Sequence, residues 1–370
     1  MAHAKKRSLL PVGIHLTPEA VSLVQFEQTG SGLTVVAKAS CSFTSPQDTV
    51  TRLMAAEDPA AQQGGQSDVR AALRFVQQEL GWDGFKGKDV VINLAANDVY
   101  VQHIRVPPMQ ADDLEASLAY ELGDKLPFPV QDAVVRHIVA GSVAENNETK
   151  EDVLVLAARR SAVQARLSTV AKANWSVVGV GVEPCCMCYG YAYASEHAEP
   201  SQSGPPCLMV VYLGWEQSYV AVLRGQETTF VKPVDYGLDH LVQAVASARE
   251  QPLEDAAQLV TTWRETPTAG SIDEAVATYN RCRTSTGRLT DEIQSCMRYY
   301  ASLARGAQVD RLSFVGHGAR DKALVRVLSA SLSVPCEVGD PIGVATGDTD
   351  PEAAEPEMAV AVGLSLFGAN

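Results

Sequence analysis

A strand–turn–strand pattern that occurs once in each half of the chain constrains the fold more than any other feature. Short β-rich runs occupy 8–16, 20–27 and 33–43 and then again 207–213, 218–224 and 228–234. When Leu16 is aligned with Leu213, a glutamate follows three residues later in both copies. Such self-similarity indicates a repeated supersecondary unit. We therefore predict a duplicated α/β fold, with two similar domains facing each other across a cleft. A chance similarity of two hairpins is the alternative.

The elements that follow each copy fit the same prediction. In the first half, a helical pattern from Asp68 to Gly81 and a buried apolar run at 90–94 complete a βββαβ order, after a polar stretch at 45–67 that predicts an exposed loop or weak helix. The second half shows helical patterns at 238–249, 289–303 and 321–332, a strand at 311–315, and a region near 251–271 broken by Pro, Thr and Gly.

A different unit separates the two copies. Its patterns predict a helix from Asp112, a helix at 161–173 and strands at 99–106, 133–143, 152–158 and 176–182. The predicted division is 1–94 for the N-terminal part of the first domain, 95–182 for an inserted small α+β subdomain, 183–340 for the second domain, and 341–370 for an acidic loop with a closing helix.

Charge and hydropathy exclude several classes of function. The formal net charge of −14 disfavours broad nucleic-acid binding, which needs clustered Lys and Arg. No apolar run approaches the roughly 20 residues that span a bilayer, and Pro11, Gly13 and His15 interrupt the first apolar segment. We expect a cytoplasmic protein whose 8 cysteines are reduced. The C-x-x-C at Cys185–Cys188 predicts buried structural thiols, with a redox motif as the alternative.

Ordered motifs across nearly the whole chain resemble one protein family. They are Val106-Pro107-Pro108-Met109, Asp113-Leu114-Glu115, Leu126-Pro127-Phe128-Pro129, and Asp291–Ser295 leading to Arg298-Tyr299-Tyr300. Their succession resembles PilM, the actin-like family of type IV pilus assembly that is related to FtsA. The resemblance implies an actin-like (ribonuclease H-like) fold of duplicated βββαβ domains, with an inserted subdomain of the FtsA/PilM type. It also implies a partner: the cytoplasmic tail of a PilN-like inner-membrane protein, bound as an extended peptide in a groove beside the insert.

The turns that would hold nucleotide phosphates lack their usual carboxylates. Relatives in the actin superfamily begin each phosphate loop with Asp, a small residue and Gly, because Asp holds Mg²⁺ and Gly lets backbone amides approach phosphate. In the first loop His15 takes the place of Asp, Thr17 takes that of Gly, and Pro18 removes a donor. In the second loop Tyr212 takes the place of Asp, while Gly214 is retained.

The resemblance and the altered loops together predict a non-catalytic adaptor, a pseudo-ATPase that holds ATP or ADP, if any cofactor, without a standard magnesium site. We predict no catalytic and no metal-binding residue. The candidate nucleotide-cleft residues are Thr17, Glu19, Gly214, Glu216, Gly316 and Gly318. The alternatives are an active ATPase or small-molecule kinase that uses Glu19 or Glu216 as a substitute carboxylate, and a filament-forming protein like FtsA. A homo-oligomer is left open, and Gly316 and Gly318 are equally explained by a strand-to-helix turn.

Overall fold

The computed structural model describes residues 8–17, 19–42, 84–94, 96–123, 125–145, 148–171, 175–197, 205–303 and 308–367. The predicted loop at 45–67 and the predicted helix from Asp68 to Gly81 lie outside these ranges. The strands are β1 (Ser8–Leu9), β2 (Val12–Leu16), β3 (Ala20–Thr29), β4 (Gly32–Ser42), β5 (Asp89–Leu94), β6 (Val99–Val106), β7 (Ala133–Glu145), β8 (Glu148–Arg159), β9 (Ser176–Val182), β10 (Cys207–Tyr212), β11 (Ser218–Arg224), β12 (Glu227–Val234), β13 (Arg311–Val315) and β14 (Cys336–Val338). The α-helices are α1 (Ala111–Glu121), α2 (Arg160–Ala171), α3 (Glu183–His197), α4 (Leu238–Arg249), α5 (Leu253–Glu265), α6 (Ala269–Arg281), α7 (Arg283–Leu303), α8 (Lys322–Ser329), α9 (Pro341–Thr346) and α10 (Ala359–Phe367).

The first sheet has the order β4-β3-β2-β5-β9, with β1 pairing the end of β3 beside β2. Strands β2, β3 and β4 form an antiparallel meander, whereas β5 lies parallel to β2 and β9 lies parallel to β5. The apolar side chains of β2 and β5 are buried on both faces of the sheet, as expected for strands at the centre of an α/β layer.

The second sheet repeats this arrangement strand for strand. Its order is β12-β11-β10-β13-β14, and β10 lies antiparallel to β11 and parallel to β13. The match gives β9 the same place as β14, although the sequence analysis assigns 176–182 to the insert. That assignment is wrong for this strand, because helix α2 returns the chain to the first sheet and places β9 parallel to β5. A parallel strand can be reached only through such a crossover.

The insert is a three-stranded antiparallel sheet with the order β6-β8-β7. Helix α1 and the residue that caps its end cover one of its faces with Leu114, Leu118 and Leu122, which are all buried. Elsewhere the insert contacts strand β12 of the second sheet. There the ring of His103 stacks on Phe230 at 5.3 Å between ring centroids, and the His103 Nε2 lies 3.0 Å from a β12 carbonyl oxygen.

Helices α3 and α10 cross between the two sheets at glycine contacts. A Cβ atom added at Gly363 of α10 would collide with the carbonyl oxygen of Cys186 in α3, and one at Gly13 of β2 would collide with that of Ala361 in α10. Only glycine permits this approach of one backbone to another. The closing helix therefore packs tightly against both the interdomain helix α3 and the first sheet.

The region near 251–271 is not broken but forms helices α5 and α6. Pro252 stands immediately before α5, and the Thr268 side chain caps α6 by accepting a hydrogen bond from the Ser271 amide at 3.2 Å. Both residue types are helix-start signals when they stand at this position. The Pro/Thr/Gly composition therefore marks the junctions of two helices rather than a loop.

Candidate functional site

A cleft at the carboxyl ends of β2 and β10 gathers part of the predicted site. It has an empty volume of about 340 Å³. Its lining residues are Thr17, Glu19, Ala20, Ser42, Tyr212, Gly214, Trp215, Leu238, Arg264 and His317. The predicted residues Glu216, Gly316 and Gly318 do not line it. At its base the two residues that replace the loop aspartates, His15 and Tyr212, face each other edge to face with ring centroids 6.0 Å apart.

The backbone amides of the first loop are already bound within the protein. The Leu16 amide donates to the Asn93 side chain at 2.8 Å, and the Thr17 amide donates to the Ala20 carbonyl at 3.0 Å. The Thr17 hydroxyl in turn accepts from the amides of Glu19 at 3.4 Å and Ala20 at 3.1 Å. A phosphate cradle needs free amides that point at the ligand. These four amides therefore cannot form one without breaking the turn.

A network of buried polar side chains binds the backbone of the first loop at Leu16. The Asn93 side-chain nitrogen donates to Glu183 at 2.7 Å and to the Leu16 carbonyl at 3.0 Å. Arg166 donates to the Leu16 carbonyl at 2.7 Å and to the Asn93 side-chain oxygen at 2.9 Å. Burial lowers the pKa of Arg166 to about 10, against the opposing effect of nearby carboxylates, so the guanidinium stays charged at neutral pH.

His15 lies beside this network but makes no hydrogen bond to it. Its Nε2 lies 3.4 Å from the Glu183 carboxylate, but the geometry does not make a hydrogen bond, and the nitrogen has no other partner among the described residues. The carboxylate of Glu183 is therefore buried behind the first loop, where it accepts a hydrogen bond from Asn93.

The glycines of the other two loops have structural roles. A Cβ at Gly214 would collide with the Gln217 carbonyl oxygen of its own turn. Gly316 has φ +88° and donates its amide to the Pro356 carbonyl at 2.8 Å, while the Gly318 amide donates to Leu213 at 3.0 Å. The amides of the glycine-rich turn are thus also bound within the protein.

Glu216 serves as a contact between the two halves of the chain. Its carboxylate accepts a hydrogen bond from the exposed side chain of Asn97 at 3.1 Å. Asn97 belongs to the single helical turn at 96–98 that links the first sheet to the insert. The structure therefore places Glu216 outside the cleft, on a surface bridge.

The second-half wall of the cleft carries a buried cation that the sequence analysis missed. Arg264, at the end of α5, is 7% exposed and donates its Nε to Glu265 at 2.9 Å. Glu265 also pairs with Arg320 at 3.0 Å. Beside Arg264, burial and the neighbouring positive charges lower the pKa of His317 well below its ordinary value, so this imidazole is neutral. Arg264 lies in the region predicted to be broken, where no periodicity was assigned.

Asn93, Arg166 and Glu183 were also missed by the sequence analysis. One signal was present, because Asn93 is a single polar residue inside the apolar run 90–94. A polar residue in a buried strand is normally hydrogen-bonded, but its partners lie far away in the sequence.

The cysteines of α3 are structural. Cys185, Cys186 and Cys188 are all buried, and burial raises the pKa of Cys185 to about 12. Such thiols carry almost no thiolate at neutral pH and are poor nucleophiles and ligands. Across the described ranges, no group of three or more His, Cys, Asp or Glu residues could hold a metal ion.

Two α/β units of identical strand order, with hairpin turns that meet across a cleft, define an actin-like protein. The model of the family described as type IV pilus assembly protein PilM matches residues 13–368. The chain therefore belongs to the PilM family, as the ordered motifs predicted.

Two solved structures show the same fold. A chain from a PilM-PilN type IV pilus biogenesis complex is 20% identical, with a TM-score of 0.70 over 97% of this chain and 98% of that one. The ethanolamine utilization protein EutJ from Carboxydothermus hydrogenoformans is 15% identical, with a TM-score of 0.51 over 99% and 92% of the two chains. Both likenesses confirm the predicted actin-like fold class. Within the described ranges, no helix combines the length and apolar character needed to cross a membrane.

Proposed function

We propose that this protein is a cytoplasmic actin-like adaptor of a type IV pilus or related secretion machine, which binds the cytoplasmic tail of a PilN-like inner-membrane protein. The family match over residues 13–368 carries this proposal. It is supported by the fold shared over almost the full length with a chain from a PilM-PilN complex. The adaptor would lie at the inner membrane through its partner.

The insert offers surfaces suited to an extended tail. Strands β6 and β7 are the two edges of its sheet, and among the described strands each pairs with β8 alone. A free strand edge can add an extended peptide through main-chain hydrogen bonds. Tyr120, on α1, is 86% exposed and could contact an apolar side chain of that peptide. The net charge of −14 favours a basic tail.

Fluorescence polarisation with labelled peptides would test this part of the proposal. The peptides are the cytoplasmic tails of membrane proteins encoded beside this one, each with a scrambled control of the same composition. We expect one tail to bind saturably and its scrambled version not to bind. If no neighbouring tail binds, the adaptor proposal fails.

We also propose that nucleotide hydrolysis has been lost. The residues of the cleft do not fit a magnesium–ATP complex, because the carboxylate positions hold His15 and Tyr212 and the first-loop amides are bound within the protein. Phosphoryl transfer depends on neutralising and positioning the phosphates. Binding of ATP or ADP without a standard magnesium site stays a prediction.

Titration with labelled ATP, with and without Mg²⁺, together with phosphate release, tests the loss of hydrolysis. We expect no magnesium-dependent turnover. Turnover that disappears in Glu19→Gln or Glu216→Gln would show that one of these residues replaces the missing carboxylate, and would overturn the proposal.

A further inference from the structure

We propose that the interdomain cleft binds one small oxyanion, of the phosphate or carboxylate class, on the side chains of Arg264, Tyr212 and His317. The inference rests on the proposed loss of hydrolysis, since it assigns a different ligand to the same cleft. Each of these three residues lines the cavity, and each has a polar side-chain atom without a hydrogen-bond partner among the described residues.

Arg264 supplies the positive charge. Its side chain is 8% exposed, and its Nε is held by Glu265. Within the part of the chain that the structure describes, its two terminal nitrogens donate no hydrogen bond to protein, and the residue lines the cavity. These nitrogens are not among the fully buried atoms without a partner, so they stay open to solvent or to a ligand from the cleft. The planar fork of a guanidinium matches an oxyanion.

Tyr212 and His317 line the cavity with Arg264. The His317 Nε2 is buried and has no hydrogen-bond partner among the described residues, and the Tyr212 hydroxyl forms no hydrogen bond to any of them. The low pKa of His317 keeps its ring neutral, and burial holds the pKa of Tyr212 well above its ordinary value. At neutral pH the His317 ring is uncharged and the Tyr212 hydroxyl keeps its proton, so both groups can donate a hydrogen bond to an oxyanion.

The cleft suits a single oxyanion better than a triphosphate. The first-loop amides are bound, and Arg264 is the one Lys or Arg among the described residues that line the cavity. The empty space of about 340 Å³ includes part of the open solvent in front of the cleft, so the enclosed room for a ligand is smaller than this figure. Glu19 also lines the cleft and would repel additional negative charge.

Equilibrium dialysis of the full chain against labelled inorganic phosphate, in a buffer free of other oxyanions, tests the proposal. Acetate serves as a second probe that competes for the site. We expect saturable binding, weakened roughly 10- to 100-fold in Arg264→Gln, because a hydrogen bond to a charged group contributes about 1.5–3 kcal/mol and 1.4 kcal/mol is tenfold. Tyr212→Phe, which keeps the ring, should weaken binding by a smaller factor.

The matched control is Arg320→Gln. Arg320 pairs with the same Glu265 at 3.0 Å but does not line the cavity, so binding should be unchanged. Circular dichroism and urea unfolding verify that each variant is folded. If Arg264→Gln fails to fold, Tyr212→Phe and Arg320→Gln still decide the matter, since only the former should weaken binding.

Three results would overturn the proposal: absence of phosphate and acetate binding, equal loss in Arg320→Gln, or much tighter binding of ATP with Mg²⁺ than of phosphate. Hydrolysis is measured separately, as phosphate release from ATP. Magnesium-dependent turnover together with phosphate binding that needs Arg264 would refute only the loss of hydrolysis. Absence of both turnover and oxyanion binding would refute only the oxyanion site.

Discussion

Replacing Asn93 by leucine should destabilise the protein severely, although the two side chains are similar in shape. Asn93 is fully buried and connects the first loop to two charged residues. Its oxygen accepts from the Leu16 amide and from Arg166, and its nitrogen donates to the Leu16 carbonyl and to Glu183. Leucine can make none of these hydrogen bonds.

The magnitude follows from the groups left without a partner. Hydrogen bonds to charged groups contribute about 1.5–3 kcal/mol each, and a buried amide left unsatisfied costs about 1–3 kcal/mol. Asn93→Leu loses the hydrogen bonds to Glu183 and Arg166, and it leaves the Leu16 amide without its hydrogen-bond partner. Since these contacts are coupled and do not add simply, we expect the free energy of unfolding to fall by about 4–6 kcal/mol. That is a large part of the roughly 5–15 kcal/mol available to a typical domain.

Urea unfolding followed by tryptophan fluorescence and circular dichroism measures this loss. Asn97→Leu is the matched control, because Asn97 is exposed and makes one surface hydrogen bond, to Glu216. That variant should lose less than about 0.5 kcal/mol. If Asn93→Leu loses less than about 1.5 kcal/mol, or no more than the control, the buried network does not hold the first loop in the way we describe.

Three further predictions follow from packing and burial. Gly363→Ala should destabilise by about 1–3 kcal/mol in urea unfolding because its Cβ meets the α3 backbone, whereas Gly287→Ala, with open space around it, should stabilise by about 0.5–1 kcal/mol; equal effects would contradict the glycine contact. The thiols in Cys185–Cys188 should resist a thiol reagent until the protein unfolds while half-exposed Cys41 reacts first, and early labelling of the helix would refute their burial. The pKa of His317 is lowered in the folded protein, so its ring stays neutral there while the unfolded chain takes up a proton as the pH falls below about 6.5. The free energy of unfolding should therefore fall with the pH, by up to about 2 kcal/mol at pH 5. In urea unfolding above about pH 6.5 and at about pH 5, His317→Gln should lose less stability between the two conditions than the unmodified protein.

Local pattern predicted most of the secondary structure. Strands β6, β11 and β13 begin and end at the predicted residues, because alternating or continuous apolar runs determine which backbone segments extend. The helices at 253–265 and 269–281 were missed since Pro252 and Thr268 were interpreted as breakers rather than as helix starts. Both signals depend on position relative to the helix, which composition does not give.

The site was predictable only in part. Because the repeat places His15 and Tyr212 at matched points, their meeting across the cleft follows from the duplication. The bonds of the Leu16 backbone to Asn93 and Arg166 join residues 77 and 150 positions apart. Such contacts depend on how α2 and the sheet pack together, and no local pattern encodes them.

The sequence by itself determined the duplicated α/β fold, the PilM resemblance and the absence of a carboxylate at each loop, since these depend on residue type and order. Only the tertiary structure decided that β9 belongs to the first sheet, that the loop amides are bound within the protein, and that Arg264 lines the cleft beside His317. The physical reason is distance along the chain. The partner of a strand, or of a buried polar group, is whichever segment the packing of the chain brings near, and that segment can be far away in the sequence.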